Sequence, residues 1–513
     1  MGGKTIIDPF YHSPALIVFI PLISSLIIAS VGFISKKLQH ILFFIALLIT
    51  AFFGILMSYE IYTVGDWSFA IELGSMRLTS GDHVFMMYFL ADGVSAMATI
   101  ILSITSVAAG LYSYTNLMEE EDSITRYYIL FLITVAGTHG MIFSANLFNR
   151  FLWFQVVIAS TSALVAFRKY DDRAFEAALK YLVLGCIAWF FFLFSIGIAY
   201  GVHGEMQFYE LAEGITGGFA DRIAMAILIV VMAFKSGAVP VHFVKPDAYS
   251  RAPSSVTVVM VVVSQAGLWT MFRIVFNVYG TAVNTYIVGW VVIMLGILSA
   301  FIGVSMALVQ RSIKRLMAYH AISQTGYMLL GVGVGIAVMG TTDMGIFGRD
   351  AMVGGIFHII NHAIYKGLLF LTAGAIIYKT GERDLNKMGG LGRSMKWTML
   401  FFIIGALAIS GVPPLNGFTS KLIIYRSVYM FNPVLSVVAM LVSILTLASF
   451  YKVFHSVFMG ASREKYNDIK EEPMTMLVGM GILAFAVILL SIFPGRAIAI
   501  LVEPAVEALG VIS

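Results

Sequence analysis

Long apolar runs separated by short polar loops dominate the hydropathy pattern of this chain. A run of about 20 apolar residues is long enough to cross a bilayer as a helix. The sequence contains fourteen such runs, near 13–33, 39–62, 84–113, 126–143, 147–167, 175–200, 221–248, 253–278, 285–308, 313–338, 351–378, 396–430, 433–458 and 473–493. The pattern therefore predicts an all-α, multi-pass membrane protein that forms a single membrane domain over residues 1–513.

Composition and charge support a membrane location. Hydrophobic residues make up 59% of the chain and charged residues 12%, compared with about 25% charged residues in an ordinary soluble protein. Nineteen Lys and Arg residues fall in the loops on one side of the predicted helices and seven on the other. Because cytoplasmic loops carry the excess of positive charge, we expect both termini to lie outside the cytoplasm, in the plasma membrane. The lipid bilayer is the expected environment, and a nucleic-acid partner is not expected.

The seventh apolar run is interrupted beside a charged residue. Lys235 is followed at once by Ser236-Gly237-Ala238-Val239-Pro240. A lysine at the bilayer centre costs about 2.5–3.5 kcal/mol on insertion scales, and such residues usually belong to ion or proton pathways. Proline and glycine break the helix and free backbone carbonyls that then need protein or water as partners. This combination indicates a transport site.

The same interruption recurs later in the chain. Ser236–Pro240 resembles Ser410–Pro414, 174 residues further on, and each is followed by a lysine, Lys245 or Lys421. Two interrupted helices at corresponding places in two halves are typical of a transporter site at a repeat interface. The predicted division is 13–113 for three peripheral helices, 126–278 for a first five-helix repeat (helices 4–8), 285–458 for a second (helices 9–13), and 473–513 for the last helix and a short tail.

Titratable residues form a stripe in the eleventh run. His358, His362 and Lys366 are spaced four residues apart, which places them on one helix face about 6 Å from one another. In the tenth run His320 and Gln324 are also one turn apart. A single buried histidine is more often a packed, hydrogen-bonded residue, but three titratable groups in register favour a proton relay through intervening water.

Motifs for soluble chemistry are absent from the sequence. It contains neither a dinucleotide-binding glycine fingerprint, nor a phosphate loop, nor a His/Cys metal cluster, and its one cysteine, Cys186, lies inside an apolar run. We therefore expect no cofactor and no catalytic residues in this chain. The acidic run Glu119–Asp122 is predicted to be a solvated turn.

Several motifs in order resemble the antiporter-like subunits of the complex I/Mrp cation–proton antiporter superfamily. They are Asn146-Leu147-Phe148-Asn149, His242 with Pro246-Asp247-Ala248, Ala252-Pro253, Lys314 to Gln324, Phe357 to Lys366, and Gly389-Gly390-Leu391. The resemblance extends over nearly the whole chain. It is closest to the large antiporter-like subunit of archaeal membrane-bound hydrogenase or sulfane-sulfur-reducing complexes and to its Mrp relative.

The resemblance implies two inverted five-helix repeats, each with a half-channel and a broken helix, joined by a polar axis. Lys235 would be the central lysine of the seventh helix and Lys421 its counterpart on the twelfth. The implied ion pathway comprises Lys235, His242, His320, Gln324, His358, His362, Lys366 and Lys421. The resemblance also implies partner membrane subunits, including further antiporter-like ones, with iron–sulfur clusters or other redox centres in those partners.

Two positions depart from the family pattern. Gln155 stands where the family has a glutamate that pairs with the seventh-helix lysine, and Gln265 stands where it has a lysine. A glutamine can form hydrogen bonds but cannot ionise. Asp92 is then the main acid left at membrane depth, either as a pathway residue or as a structural cap near the surface. The departures predict a weakened first half-channel and an intact second one.

Three functions remain open at this point. The chain conducts protons or sodium ions through its second half as a subunit of an ion-translocating oxidoreductase complex, or it is a duplicated, non-pumping spacer of the membrane arm. The third alternative is a stand-alone sodium/proton antiporter, which the lack of a complete acidic cation site makes the least favoured.

Overall fold

Helices account for most of the computed structural model, which describes residues 12–510 except 33, 65–68, 78–83, 118–123, 169–170, 462 and 467. The helices are α1 (Ser13–Val31), α2 (Lys36–Val64), α3 (Gly93–Asn116), α4 (Ile124–Phe143), α5 (Leu147–Val165), α6 (Asp172–His203), α7 (Phe208–Gly214), α8 (Phe219–Ser236), α9 (Val244–Arg251), α10 (Ser254–Arg273), α11 (Thr285–Leu308), α12 (Ile313–Ala337), α13 (Arg349–Thr380), α14 (Lys396–Ser410), α15 (Asn416–Phe431), α16 (Pro433–Phe454), α17 (Met474–Ile492), α18 (Pro494–Ala497) and α19 (Glu503–Ala508). Short π-helical turns follow α10, α16 and α18, and another precedes α13. The predicted acidic turn Glu119–Asp122 lies outside the described residues.

Eleven helices of the described chain are long and apolar enough to cross a membrane. Three further predicted spans correspond to segments that do not meet this criterion. They are 221–248, which is divided into α8 and α9, 313–338, which is the more polar α12, and 396–430, which is divided into α14 and α15. The protein is therefore a membrane-spanning helical protein, with polar or broken helices where the sequence predicts the ion pathway.

The start of the third predicted span is wrong. Residues Val84–Ala91 form a strand, β2, which pairs antiparallel with β1 (Phe69–Arg77), so the fold is not purely α-helical. Helix α3 begins only after Asp92, whose carboxylate accepts a hydrogen bond from the Ser95 amide at 3.0 Å. An aspartate at the N-cap satisfies a free helical N–H group, and it fixes the end of the strand.

The most buried helices are those that carry the polar residues. Every residue of α10 is buried, and α12 and α13 are buried over nearly their whole length. The outer helices expose large apolar side chains, for example Phe190 of α6 and Ile444 of α16, each 64% exposed. Polar groups at membrane depth usually face a bundle interior, and this arrangement follows that rule.

The two broken helices share one backbone conformation. Helix α8 ends at Gly237 and α14 at Gly411, both in the left-handed region with φ of 73° and 74°. Glycine adopts this conformation without steric cost and commonly terminates helices. A cis proline follows in each, at Val239-Pro240 and at Pro413-Pro414. The predicted interruptions are thus present at both places, with matching geometry.

The tail after α17 packs on the chain itself. The side-chain amide of Asn277 donates to the carbonyl of Ala508 at 3.1 Å, and Gly93 at the start of α3 lies against the backbone of Pro504 without room for a side chain. The predicted short tail is therefore helical through α18 and α19.

Candidate ion pathway

Lys235 lies in the last turn of α8, in a pocket lined by aromatic rings. Its side chain is buried, and its Nζ lies 5.0 Å from the centre of the Phe154 ring and 3.5 Å from the Tyr181 hydroxyl. Within the described residues it has no carboxylate partner. Gly267 of α10 leaves room for the lysine stem, because a Cβ at that position would lie 2.9 Å from Lys235 Cγ.

The α5 side chain that contacts Lys235 is Phe154, one residue before the predicted altered position. Gln155 is half-buried and forms no side-chain hydrogen bond within the described part of the chain. Neighbouring residues on a helix are about 100° apart around its axis. Gln155 therefore lies on a different part of the α5 surface from Phe154, which contacts the lysine.

A second lysine of the first half is bound to the end of α8. Lys245, on α9, is 4% exposed, and its Nζ donates to the carbonyl oxygen of Ser236 at 2.6 Å. Its stem passes directly over Gly237, where a Cβ would overlap it. Carbonyls in the last turn of a helix lack intrahelical donors and attract cations.

Lys421 on α15 makes the equivalent contacts in the second half. It is 1% exposed, and its Nζ donates to the carbonyl oxygen of Ile409 at 2.8 Å and to the Ser443 hydroxyl at 3.0 Å. Its stem passes over Gly411, and its Nζ lies 4.7 Å from the centre of the Tyr327 ring.

The geometry corrects the implied pairing of the two lysines. Relative to the left-handed glycine of each break, Lys421 occupies the place of Lys245, and the residue that corresponds to Lys235 is Ile409. The physical reason is that Lys245 and Lys421 both reach back from the second half-helix to the carbonyl end of the first. Lys235 lies on the first half-helix and cannot do so.

Gln265 connects α10 to the predicted histidine stripe on α13. Its side-chain nitrogen lies 3.0 Å from Nδ1 of His362 and 2.9 Å from the carbonyl oxygen of Ile359. Because the amide nitrogen donates, Nδ1 accepts and the proton of a neutral His362 is on Nε2. That Nε2 has no hydrogen-bond partner among the described residues.

His358 connects the same stripe to the second broken helix. Its Nε2 lies 3.1 Å from the Gln324 side-chain oxygen, and its Nδ1 lies 2.9 Å from the hydroxyl of Ser420, the residue before Lys421. The Tyr365 hydroxyl lies 3.3 Å from both His358 Nε2 and the Gln324 oxygen. This network leads from α12 through α13 to Ser420 on α15, the residue before the second-half lysine.

Lys366 and His320 face an aromatic wall. The ammonium of Lys366 is fully buried, makes no hydrogen bond within the described chain, and lies 5.4 Å from the Phe370 ring centre. His320 contacts the Ser449 hydroxyl at 2.8 Å and lies against Phe450. Lys366 and His320 thus contact the same Phe450 ring, which places His320 next to the stripe, but His320 makes no direct hydrogen bond to Gln324.

His242 lies apart from this network. It is half-buried in the segment between α8 and α9 and stacks on Phe243, with ring centres 5.1 Å apart. Its Nδ1 has no hydrogen-bond partner among the described residues. The structure does not join it to Lys235 or to the α13 stripe by a direct contact.

Asp92 has a structural role at the start of α3. Besides capping the helix, its carboxylate forms an ion pair with Arg273 of α10 at 2.5 Å. The Arg150 side chain lies nearby and donates to the Thr270 hydroxyl at 3.1 Å. An acid with these fixed partners is the structural cap that the sequence left open.

The sequence did not single out the paired asparagines Asn361 and Asn416. The Asn361 amide donates to the Asn416 carbonyl at 3.1 Å, and the Asn416 amide donates to the Asn361 side chain at 2.9 Å. They fasten α13 to the start of α15. An asparagine within an apolar run is a signal of this kind of contact, since a buried amide needs partners.

Comparison with known proteins identifies the family. The profile described as NADH:quinone oxidoreductase/Mrp antiporter, TM, matches residues 144–446. The chain belongs to this family. It is 29% identical to a Na(+)/H(+) antiporter subunit of Alkalihalophilus pseudofirmus over 461 residues, which cover 87% of this chain and 88% of that relative.

Two solved structures share the fold of this family member. A chain of the archaeal membrane-bound sulfane sulfur reductase superposes with a TM-score of 0.83 at 25% identity, covering 95% of this chain and 77% of that chain. A chain of the Mrp complex from Dietzia sp. superposes with a TM-score of 0.86 at 20% identity, covering 98% of both. The predicted resemblance is confirmed, and the protein is an antiporter-like membrane subunit of the Mrp/complex I superfamily.

Proposed function

We propose that this antiporter-like subunit translocates protons, sodium ions or both through its second half, with Lys421 as the central ion-carrying residue. The observation that carries the proposal is the unbroken series of contacts from Gln324 through His358 to Ser420, beside Lys421. His358 and Ser420 can each take up and pass on a proton, and the Gln324 side chain holds the His358 ring by a hydrogen bond, so protons have short hops available beside Lys421.

We also propose that the site around Lys235 is weakened. Aromatic rings attract an ammonium group, but they cannot accept its proton. Without the family glutamate at position 155, Lys235 lacks a neighbouring group that changes charge in step with it. A residue of this kind has little to couple to during a transport cycle.

The proposed architecture follows the family. It has fourteen transmembrane helices, with two inverted five-helix repeats over 126–278 and 285–458, flanked by 13–113 and 473–513. Both termini lie outside the cytoplasm and the chain is in the plasma membrane, as its loop charges favour. The proposed partners are other membrane subunits of a respiratory complex, including antiporter-like ones, and iron–sulfur clusters or other redox centres reside in those partners.

Ion flux through the native assembly tests the proposal. Everted membrane vesicles are prepared from cells that carry a tagged copy of the chain, either unchanged or with Lys421→Ala. A pH gradient is imposed, and its sodium-dependent and sodium-independent collapse is followed with acridine orange. Loss of flux in the variant, with partner subunits still copurifying through the tag, is the expected result.

The two alternatives give different results in the same experiment. A non-pumping spacer keeps normal flux in Lys421→Ala when the assembly is intact. If the chain is a stand-alone antiporter, it purifies through its tag without partner subunits. The isolated chain then exchanges sodium ions for protons in proteoliposomes. Either result contradicts the proposed function.

A further inference from the structure

Lys245 is a buried lysine that the family pattern does not explain. We propose that Lys245 is a second ion-carrying lysine, which takes the role of the lysine replaced by Gln265 and connects the first half of the protein to the α13 stripe. The inference rests on the proposed translocation function and extends it to the first half.

The first step of the argument is the shared geometry of Lys245 and Lys421. Each reaches from the second half-helix over a left-handed glycine to a carbonyl at the end of the first half-helix, at 2.6 Å and 2.8 Å. Lys421 is the proposed ion carrier of the second half. Because Lys245 makes the equivalent contact in the first half, we infer the same function for it.

The second step is the incomplete binding of the Lys245 ammonium. An ammonium group has three donors, and only the Ser236 carbonyl accepts from Lys245 within the described residues. The nearest acid along the chain, Asp247, is engaged with Arg315 at 3.1 Å. A buried lysine with free donors and no counter-ion is costly, so it is usually retained for function.

The third step is the packing that links Lys245 to α13 and to the position of Gln265. The Nζ of Lys245 lies 5.4 Å from the centre of the Tyr249 ring, and that ring packs on Phe370 of α13 with ring centres 5.9 Å apart. The Tyr249 hydroxyl donates at 3.1 Å to the hydroxyl of Ser264, the residue before Gln265. Lys245 is therefore one aromatic ring away from both α13 and the position of the replaced lysine, and a proton that moves between nearby buried sites changes the energy of its neighbours, which coupled transport requires.

If Lys245 only stabilised the structure, its loss would affect the protein as the loss of Lys314 does. Lys314 is also 4% exposed and donates to a backbone carbonyl, that of Ala252, at 2.5 Å. Its other hydrogen-bond partner among the described residues is the Thr257 hydroxyl at 3.4 Å, which is on α10 and not on the α13 stripe. Lys314 is therefore a matched control for the loss of a buried, carbonyl-bound lysine.

The test compares Lys245→Met, Lys245→Arg and Lys314→Met in everted vesicles, with flux normalised to assembled complex. We expect Lys245→Met to lower flux at least about tenfold, because it removes a proton-transfer group. Lys245→Arg should lower it as much, because a guanidinium keeps its proton. Lys314→Met should leave flux per complex within about twofold. Normal flux in Lys245→Arg together with loss in Lys245→Met would show a structural cap and overturn the proposal.

A rescue experiment tests whether Lys245 replaces the α10 lysine. Gln265→Lys is introduced into the Lys245→Met background, and flux should recover at least about threefold, because the carrier returns to the position that the family uses. A double variant as inactive as Lys245→Met contradicts the replacement. Lys421→Ala is measured in the same preparations: if it lowers flux while Lys245→Met does not, the Lys245 inference alone fails, and if neither lowers flux, the proposed function itself fails.

Discussion

The two broken helices share a backbone and differ in what surrounds their lysines. In the second half, Lys421 donates to the Ser443 hydroxyl and follows Ser420, which contacts His358. In the first half, Lys235 faces the Phe154 ring, and Lys245 has the Ser236 carbonyl as its hydrogen-bond partner in the described chain. The comparison shows that a break supplies carbonyl oxygens for a cation, whereas the side chains decide whether a proton can leave.

This difference has an energetic meaning. A cation over an aromatic ring gains about 0.5–2 kcal/mol, which holds the charge in place without offering it a route. Hydroxyl and imidazole groups donate and accept, so they hold a cation and also pass protons. Lys421 therefore lies beside a series of such groups, whereas Lys235 has one of them, the Tyr181 hydroxyl at 3.5 Å, among aromatic rings.

The largest expected effect separates Lys421 from another carbonyl-bound lysine in the same half. Lys421→Ala should lower ion flux about tenfold or more, because it removes the proposed ion-carrying lysine next to Ser420, where the hydrogen-bonded series ends. Lys452 of α16 is the control, since its Nζ donates to the carbonyls of Leu308 and Gln310 at 2.9 Å and 2.8 Å. Lys452→Met should reduce assembly more than flux per complex. Equal flux in the two variants contradicts the comparison.

A slightly smaller effect is expected at the contact between the halves. His362→Ala removes the partner of Gln265 and one step of the α13 stripe, so flux should fall about fivefold to tenfold with partner subunits still copurifying. His139 of α4 is a matched control, because it is fully buried and its Nδ1 lies 3.1 Å from the Val135 carbonyl, within its own helix. His139→Ala should lower the thermal stability and leave flux per complex unchanged. Normal pumping with poor assembly in His362→Ala would show a structural histidine.

The sequence predicts the parts of this site that depend on local patterns. Helix interruption follows from the Gly and Pro residues at 237–240 and 411–414, and the four-residue spacing places His358, His362 and Lys366 on one face. These features involve only neighbouring residues, and the structure contains all of them.

Features that depend on three-dimensional packing escape the sequence. The sequence places Lys245 and Lys421 after the two breaks, at eight and ten residues from the glycine, but it does not show that both ammonium groups reach back to the end of the first half-helix. The apolar run Val84–Ala91 is consistent with either a helix or a buried strand, and its pairing with Phe69–Arg77 decides between them. The choice between Phe154 and Gln155 as the neighbour of Lys235 likewise depends on how α5 is rotated against α8.

A modest loss of ion flux is expected when Lys235 is replaced. The loss should be larger when residue 155 is the glutamate that the family has at this position. Lys235→Ala should lower flux by less than about threefold, because its hydrogen-bond partner among the described residues is the Tyr181 hydroxyl at 3.5 Å and no carboxylate lies beside it. In a Gln155→Glu background, a nearby carboxylate would give Lys235 a partner, so the same substitution should then cost more than in the parent chain. The measurement is a double-mutant cycle on ion flux. Additive effects would show that residue 155 does not reach the lysine, as the contact with Phe154 suggests for the unchanged glutamine.

The two halves also differ in how a buried acid is bound near the start of α8 and of α14, and this difference affects stability. Asp221 in α8 accepts from the Thr216 and Gly218 amides, each at 3.2 Å, and pairs with His203 at 2.6 Å. Glu472, outside the membrane-spanning segments, accepts from the Thr398 hydroxyl at 2.6 Å near the start of α14, while its Oε1 has no partner in the described chain. The acid of the first half is thus satisfied, and that of the second is not.

The smallest predicted effect follows from this unsatisfied acid. Burial raises the pKa of Glu472 to about 7 from its ordinary value of 4.5. The folded protein then retains a proton that the unfolded chain loses above pH 4.5, so the free energy of unfolding falls as pH rises from 4.5 to 7 and stays lower above it. Glu472→Gln removes the charge and retains an acceptor for Thr398. It should raise the free energy of unfolding on the order of 1–3 kcal/mol at pH 8.5 and leave it nearly unchanged at pH 4.5.

Thermal unfolding of the detergent-solubilised complex, followed by intrinsic fluorescence between pH 4.5 and 8.5, measures this difference. Glu471→Gln is the control, because Glu471 accepts from the Trp397 amide at 2.8 Å. A carboxylate at that position interacts favourably with the positive end of the α14 helix dipole. Its loss should therefore lower the free energy of unfolding at pH 8.5. If Glu472→Gln raises the free energy of unfolding at pH 8.5 and Glu471→Gln lowers it, the destabilising buried charge is that of Glu472. A stabilisation by Glu472→Gln that is equal at both pH values would contradict the titration argument and show that packing, not charge, limits this end of the second half.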